Sequence, residues 1–275
     1  MLVLLLLATA GVWAAWTLRL DPADLWPGGG GWRLTVEFFS HAWRPALTHQ
    51  AEGLPTDTPP LLWLAARAAV KTVVYAAAAM PASILLGLLL GFGASSAWWT
   101  TARDRGGRGP RSLLGPVISA ACRLVASLLR SVHELLWAVL LLAALGLTPL
   151  AAVVALSVPY AGTLAKVFAE MIDEAPRDAA GALAEAGASP VQAFLAGQLP
   201  GAMPDMMAYA LYRFECALRS AAVLGFFGFP TLGYHIAASF ENLYYGEVWT
   251  YLYMLLLLVL VVDWWSGAVR RRLVS

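Results

Sequence analysis

The sequence predicts an all-α integral membrane protein of about six transmembrane helices, with both termini on the cytoplasmic side. Three observations carry this reading. Of 275 residues, 60% are hydrophobic and 13% charged, with a mean hydropathy of +0.69, whereas soluble domains average about 25% charged residues. The apolar residues gather in uncharged runs near the ~20 residues that cross a bilayer. The 12 Trp and 9 Tyr suit a chain that meets the membrane–water boundary many times.

A net charge of +1 points to no particular partner. Cys122 and Cys216 lie in apolar helical runs with no CxxC or His spacing nearby, so they read as small hydrophobes and not as a metal or redox pair.

Residues 2–18 read as the first span. A cleaved signal peptide competes with that reading, but nothing basic precedes Arg19. Residues 19–60 mix Gly28 to Gly31, several prolines, His41 and His49, which predicts an extracytoplasmic loop with one short amphipathic helix around Glu37 to Leu47. Residues 1–60 thus form a first unit, and 61–275 the core. From Leu61 the chain is apolar again, with Arg67 and Lys71 on one helical face. The second span is expected over 72–94 with a kink at Pro81. The basic stretch from Arg103 to Arg111 reads as a topology signal and not as a nucleic-acid patch.

Leu135 to Ala165 is uncharged, too short for two spans and too long for one. With a turn at Gly146 to Pro149, the third helix begins near 127 and the fourth ends near 170. Arg130, His133 and Glu134 are thereby carried into the membrane. The fifth span, 204–228, contains Arg213, Glu215 and Arg219, and the last, 248–266, is followed by Arg270 to Arg272. Residues 229–247 hold no Lys or Arg, so the Arg-rich segments 103–111 and 270–272 fall on the cytoplasmic side.

Between spans four and five, the loop of about residues 171–203 includes a moderately polar interlude from Ala179 to Pro204. Ala, Leu, Glu and Gln favour helix there, while Gly187 followed by Ser189 and Pro190 predicts a helix stop and a second start. Two short helices at the cytoplasmic surface are expected.

A charge at mid-depth costs roughly 2.5–3.5 kcal/mol on the insertion scale, so intramembrane charges need partners or water. Arg130 and Glu134, with His133, are spaced to share one helical face; Glu215 and Arg219, with Tyr212 a turn earlier, share another. The set Arg130, Arg213 and Arg219 against Glu134 and Glu215 is positive on balance, and Arg suits bidentate binding of phosphate-like groups. Interhelical ion pairs that only hold the bundle together are the alternative. Lys166, four before Glu170, reads as a paired snorkelling residue.

The interlude resembles the cytoplasmic loop of binding-protein-dependent ABC importer permeases, whose signature is E-A-A, three residues, G, nine residues, I-x-L-P. Aligned on Gly187, Pro200 falls at the required distance with Leu199 before it and Ala182 in the middle of the triplet; Gly181, Leu183 and Gly197 depart from the Glu, second Ala and Ile. A wider stretch, about 113–228, resembles the phosphonate permease branch. It runs from R-S-V-H-E-L-L-W-A at Arg130, through E-A-G-A-S at Glu185, to Y-A-L-Y-R-F-E-C-A-L-R-S at Tyr209. That branch has a Pro where this chain has His133, and a Gly-rich V-G-A-G-G-I-G where this chain has F-F-G-F-P-T-L-G-Y.

The resemblance implies a permease subunit in the bacterial inner membrane, moving phosphonate or a related oxyanion such as phosphite, phosphate or selenate. It implies a homodimer, two cytoplasmic ATPase subunits and an extracytoplasmic substrate-binding protein, with lipid around it and no nucleic acid. Docking on the ATPase would fall to Ala182, Glu185, Gly187, Ala188, Leu199 and Pro200. The pathway would use Arg130, His133, Glu134, Tyr212, Arg213, Glu215 and Arg219. The chain carries no G-x-x-x-x-G-K-[ST] phosphate cradle, so ATP is expected on the partner subunit and no cofactor here. No nucleophile or metal set assembles from the sequence. A proton-coupled secondary transporter, or a membrane-embedded enzyme or scaffold using the Arg, Glu and His cluster, stands as the other reading.

Overall fold

The structure, a computed structural model, describes residues 1–21, 28–51, 53, 55, 57–97 and 111–273. Arg103, Arg105 and Arg108 of the expected basic loop lie outside them. All the regular elements described are helical.

Helix α1 (Leu2–Thr17) buries none of its 16 residues. Its length, about 24 Å at 1.5 Å per residue, falls short of the ~30 Å hydrocarbon. Helix α2 (Gly29–Ser40) continues into a 3₁₀ turn at His41–Trp43. The amphipathic helix expected at 37–47 therefore sits earlier in the chain. It is no free loop: Trp249 Nε1 donates to Phe38 O at 2.8 Å, and Tyr253 OH to Ala42 O at 2.7 Å.

Helix α3 (Leu61–Ala94) is 34 residues long and continues through Pro81, so it starts well before the expected residue 72 and includes Arg67 and Lys71. The largest departure follows. Helix α4 (Arg111–Ser131) is a helix in its own right and stops before His133, and the short helix α5 (Glu134–Leu145) takes over. A single third helix from 127 does not form. The break is a capping event: His133 adopts extended backbone, and its ring Nδ1 accepts from Leu135 N at 3.3 Å. Trp137 Nε1 donates to Leu129 O at 3.3 Å, satisfying a carbonyl that the ended helix leaves free.

Gly146, at φ +71°, turns the chain into α6 (Pro149–Glu174), where Thr148 caps through Ala151 N at 3.2 Å and Pro149 opens the helix. Helix α7 (Asp178–Glu185) and helix α8 (Pro190–Ala193), the latter running into a π turn at Phe194–Gln198, occupy the polar interlude. Helix α9 (Leu199–Val223) follows without a gap, so the segment between α6 and α9 spans 175–198 and is tighter than the 171–203 expected. A 3₁₀ turn (Leu224–Phe227) and Gly228 at φ +94° separate α9 from α10 (Leu232–Glu241), which is bent 43° from it. The final helix, α11 (Tyr245–Leu273), carries the basic tail.

Among the described residues, four helices are long and apolar enough to cross a membrane: α3, the Leu114–Ser131 part of α4, α6 and α11. The pair α9–α10, bent at its break, is a fifth when read as one span. The expected fifth span at 204–228 falls on α9 and the 3₁₀ turn that follows it.

Helix α6 is the centre of the bundle. Its interfaces follow the rule for lipid-embedded helices, where close approach of small residues replaces the hydrophobic drive. A Cβ on Gly87 of α3 would stand 2.7 Å from Leu164 Cβ, and one on Gly162 of α6 would stand 2.7 Å from Ala126 O of α4. Ser157 Oγ donates across to Ala79 O at 3.2 Å, and Ser83 Oγ to Ser157 O at 3.3 Å. At the α9–α10 break, a Cβ on Gly225 would collide with Tyr234 N and one on Gly233 with Ala222 O. This crossing needs two glycines, although the run around it departs from the Gly-rich stretch of the phosphonate branch.

At the end of the bundle far from α7, Glu247 of α11 is 6% exposed. It accepts from Gln50 N at 2.7 Å and Ser239 Oγ at 3.0 Å, while Glu247 N donates to Gln50 Oε1 at 3.1 Å. His49 is half-buried here, with Nε2 2.9 Å from Pro59 O and Nδ1 3.8 Å from Glu247.

Candidate functional site: a helix pair and a cationic face

The α7–α8 pair has the form read from its residues. Gly187 takes φ +88°, the left-handed conformation that favours glycine at a helix end. Ala188 N donates back to Leu183 O at 3.0 Å. Ser189 and Gln192 then cap α8 reciprocally, Ser189 N to Gln192 Oε1 at 2.9 Å and Gln192 N to Ser189 Oγ at 3.3 Å.

One contact closes the pair on itself and two fix it to the bundle. Gly197 lies against the Ala180 backbone of α7, where a Cβ would stand 2.6 Å from Ala180 Cα. Phe194, 1% exposed, meets Phe92 of α3 edge-on with centroids 5.1 Å apart. Gln198, 2% exposed, donates from Nε2 to Ile172 O of α6 at 2.8 Å.

Of the residues singled out for docking, Ala182, Glu185, Gly187 and Pro200 are exposed and Ala188 is half-buried, while Leu199 packs against the main core. Val191 and Leu195, four apart on this segment and both about half exposed, were not singled out. Their apolar character carries no signal in a chain that is apolar nearly everywhere.

The charged residues have partners other than those their spacing suggests. Because α4 ends at Ser131, Arg130 and Glu134 are on different helices and do not pair. Glu134 accepts from Ser220 Oγ of α9 at 2.8 Å, Ser220 Oγ is 3.0 Å from Tyr160 OH of α6, and His133 Nε2 is 3.6 Å from Glu134. Glu215 does not pair with Arg219. Arg270 of α11 reaches it at 3.0 Å and also approaches Asp263 at 3.9 Å. Lys166 and Glu170 do pair, at 3.4 Å.

Two guanidiniums of α9 are left without a carboxylate partner among the described residues. Arg213 Nε donates to Tyr209 OH at 2.8 Å and its Cζ lies 5.2 Å from that ring. Exposed Arg219 donates to Cys216 Sγ, at 3.5 Å. Tyr212, 43% exposed, has its ring 6.1 Å from that of Tyr209. Tyr209, Tyr212, Arg213 and Arg219 thus build a donor-rich face, and Glu215, tied to Arg270, adds little free negative charge to it. Arg130 stands apart, lining a groove between α4 and α6 with Arg123, Lys166 and Glu170. Tyr160, Tyr209, Ser220 and Arg270 belong to this polar set and were missed. Arg270 offered only its place in a basic tail, and the others only an uncharged side chain. No group of three or more metal-ligating side chains occurs among the described residues.

The fold is that of an ABC transporter permease. It matches a crystal structure of an amino acid ABC transporter with histidines at TM-score 0.61 and 15% identity, over 76% of this chain and 94% of that one. An inward-facing methionine ABC transporter, MetNI, matches at TM-score 0.60 and 21% identity, over 78% and 97%. The chain belongs to the family described as binding-protein-dependent transport system inner membrane component, matched over residues 107–275, and its place is the bacterial inner membrane.

Among relatives, the phosphite transport system permease protein PtxC of Stutzerimonas stutzeri is 36% identical over 159 residues, 57% of this chain and 57% of that protein. The phosphate-import permease protein PhnE of Mycolicibacterium smegmatis is 32% identical over 145 residues, 53% of this chain and 27% of that protein. The chain therefore spans little more than half the length of the first and about a quarter of the second.

Proposed function

We propose that this chain is the membrane-spanning permease subunit of an ATP-driven importer for a phosphorus oxyanion such as phosphonate, phosphite or phosphate. The observation that carries the proposal is the α7–α8 pair, a rigid, small-residue element outside the spans, fastened to α3 and α6 by Phe194 and Gln198. In the resulting mechanism the α7 end and the C-terminus are cytoplasmic, α1 crosses as a sixth span so that Met1 lies on the same side, and α7–α8 docks on an ATPase subunit that binds and hydrolyses ATP. Movement of the pair passes through Phe92 and Ile172 to the helices they belong to. The arrangement works as a homodimer fed by an extracytoplasmic binding protein.

The pathway is the cationic face of α9. Arg213, Arg219 and Tyr212 offer donors to an oxyanion, while Glu134, which accepts from Ser220 and lies beside His133, sets the position of α5 against α9. Glu215 positions α9 through Arg270.

The test is a complex reconstituted with its ATPase and binding protein. Substrate-loaded binding protein is expected to stimulate ATP hydrolysis, and Ala182→Asp with Val191→Asp, both on the exposed side of the pair, is expected to abolish that stimulation in folded protein. Unchanged stimulation in this variant overturns the docking assignment. Uptake driven by a proton gradient without ATP overturns the importer reading itself.

A further inference from the structure

We propose that the groove between α4 and α6 is a binding site for the phosphate group of an anionic phospholipid, with Arg130 as its principal ligand. The groove is a cavity of ≈ 260 Å³ whose polar lining comprises Arg123, Ser127, Arg130, Lys166, Glu170 and Asp173. Its formal balance is three cations against two carboxylates, and the carboxylates are committed elsewhere. Asp173 accepts from Ser95 Oγ at 2.6 Å, Ala97 N at 2.9 Å, Ser96 N at 3.0 Å and Ser96 Oγ at 2.8 Å, capping the chain just beyond α3. Glu170 is matched by Lys166 at 3.4 Å. Arg123 turns Nε to Ala94 O at 2.9 Å and lies 3.8 Å from Asp173.

Arg130 has no carboxylate partner among the described residues. It lies in the Leu114–Ser131 window that is apolar enough to span a membrane, where a guanidinium requires a counter-charge. Two features of the fold create this condition. The break at His133 sends Glu134 away to Ser220. The close approach at Gly162, where a Cβ would stand 2.9 Å from Arg130 N, holds α4 so tightly on α6 that Arg130 and Lys166 share one groove.

A guanidinium, an ammonium and the Ser127 hydroxyl converging on one space present donors in the arrangement that suits a phosphate group, and basic pockets between membrane helices are where lipid head groups bind. The lipid source follows from what borders the groove. Leu124 and Leu128, on the same helix as Arg130, are 61% and 60% exposed, an apolar surface for acyl chains beside the head-group site. This site is separate from the α9 face and does not depend on what the chain transports.

The test uses the full chain in nanodiscs and native mass spectrometry. Phosphatidylglycerol is expected to be retained on the wild-type chain, and Arg130→Gln to reduce that retention about tenfold, the loss of one charge-assisted hydrogen bond, while Arg130→Lys restores part of it. Inorganic phosphate is expected not to displace the lipid; displacement would reassign the groove to a free oxyanion and overturn the lipid source. Equal retention by Arg130→Gln and wild type overturns the site. If Arg130→Gln does not fold, Lys166→Gln on the opposite wall takes its place with the same expected loss, and full retention by that variant likewise overturns the site.

Discussion

Gly197 and Ala180 meet backbone to backbone, so that a Cβ on Gly197 would stand 2.6 Å from the Ala180 Cα and 2.7 Å from its N. This contact makes α7 and α8 one body, and at Gly197 the chain departs from the Ile of the resemblance. Gly197→Ala therefore wedges the pair apart. It is expected to cost about 1–3 kcal/mol, as overpacking does, and to lower the thermal midpoint and ATPase stimulation together. Gly181→Ala, with nothing within 4 Å of the new Cβ, is the control and is expected to leave both unchanged. Equal behaviour of the two variants would refute the packing argument.

Arg270 and Glu215 join the last helix to α9 at 3.0 Å, with side chains 29% and 11% exposed. Removing one partner of a fully buried pair costs about 3–5 kcal/mol. This pair is partly wet, so Glu215→Gln and Arg270→Gln are each expected to cost about 2 kcal/mol. The double variant should cost less than the sum, and strict additivity in a thermal double-mutant cycle would show that the pair is not coupled.

Glu247 is the buried anchor of the strap from α2 to Gln50. Glu247→Ala leaves Gln50 N and Ser239 Oγ without their acceptor, at a cost of about 1–3 kcal/mol for such orphaned groups. Local hydrogen exchange across residues 29–50 is expected to speed up by at least about fivefold, with α6 unaffected. Unchanged exchange in the strap would mean that the bonds at Phe38 and Ala42, with that of Thr250 Oγ1 to Ala46 O, hold it without Glu247.

Arg213 and Arg219 differ in their surroundings, and the difference is measurable. Arg219 is exposed and has no carboxylate partner among the described residues, so Arg219→Gln is expected to lower oxyanion uptake about tenfold, one charge-assisted contact, with complex assembly intact. Arg213→Gln also loses the hydrogen bond and ring contact with Tyr209, and is expected to lower both uptake and thermal stability. Uptake indifferent to Arg219→Gln would remove that residue from the pathway.

The sequence by itself determined the membrane class and the two-helix form of the interlude, because each rests on local rules. Apolar runs, a glycine in the left-handed region, and Ser189 capping three residues before Gln192 are written in consecutive residues. It could also place Lys166 on Glu170, since that pair lies within one helix.

Tertiary structure alone decided the rest of the polar network. Spacing along a chain gives partners only while the helix continues, and the cap at His133 ends it between Arg130 and Glu134. Across helices, partner choice depends on register and rotation, which small-residue contacts such as Gly162 on Ala126 and Gly87 on Leu164 set. The contact at Gly162 leaves Arg130 beside Lys166, while Ser220 meets Glu134 and Arg270 meets Glu215 across helices far apart in the chain. A charge in a low-dielectric setting takes the partner that packing brings within reach, whichever residue stands four positions away.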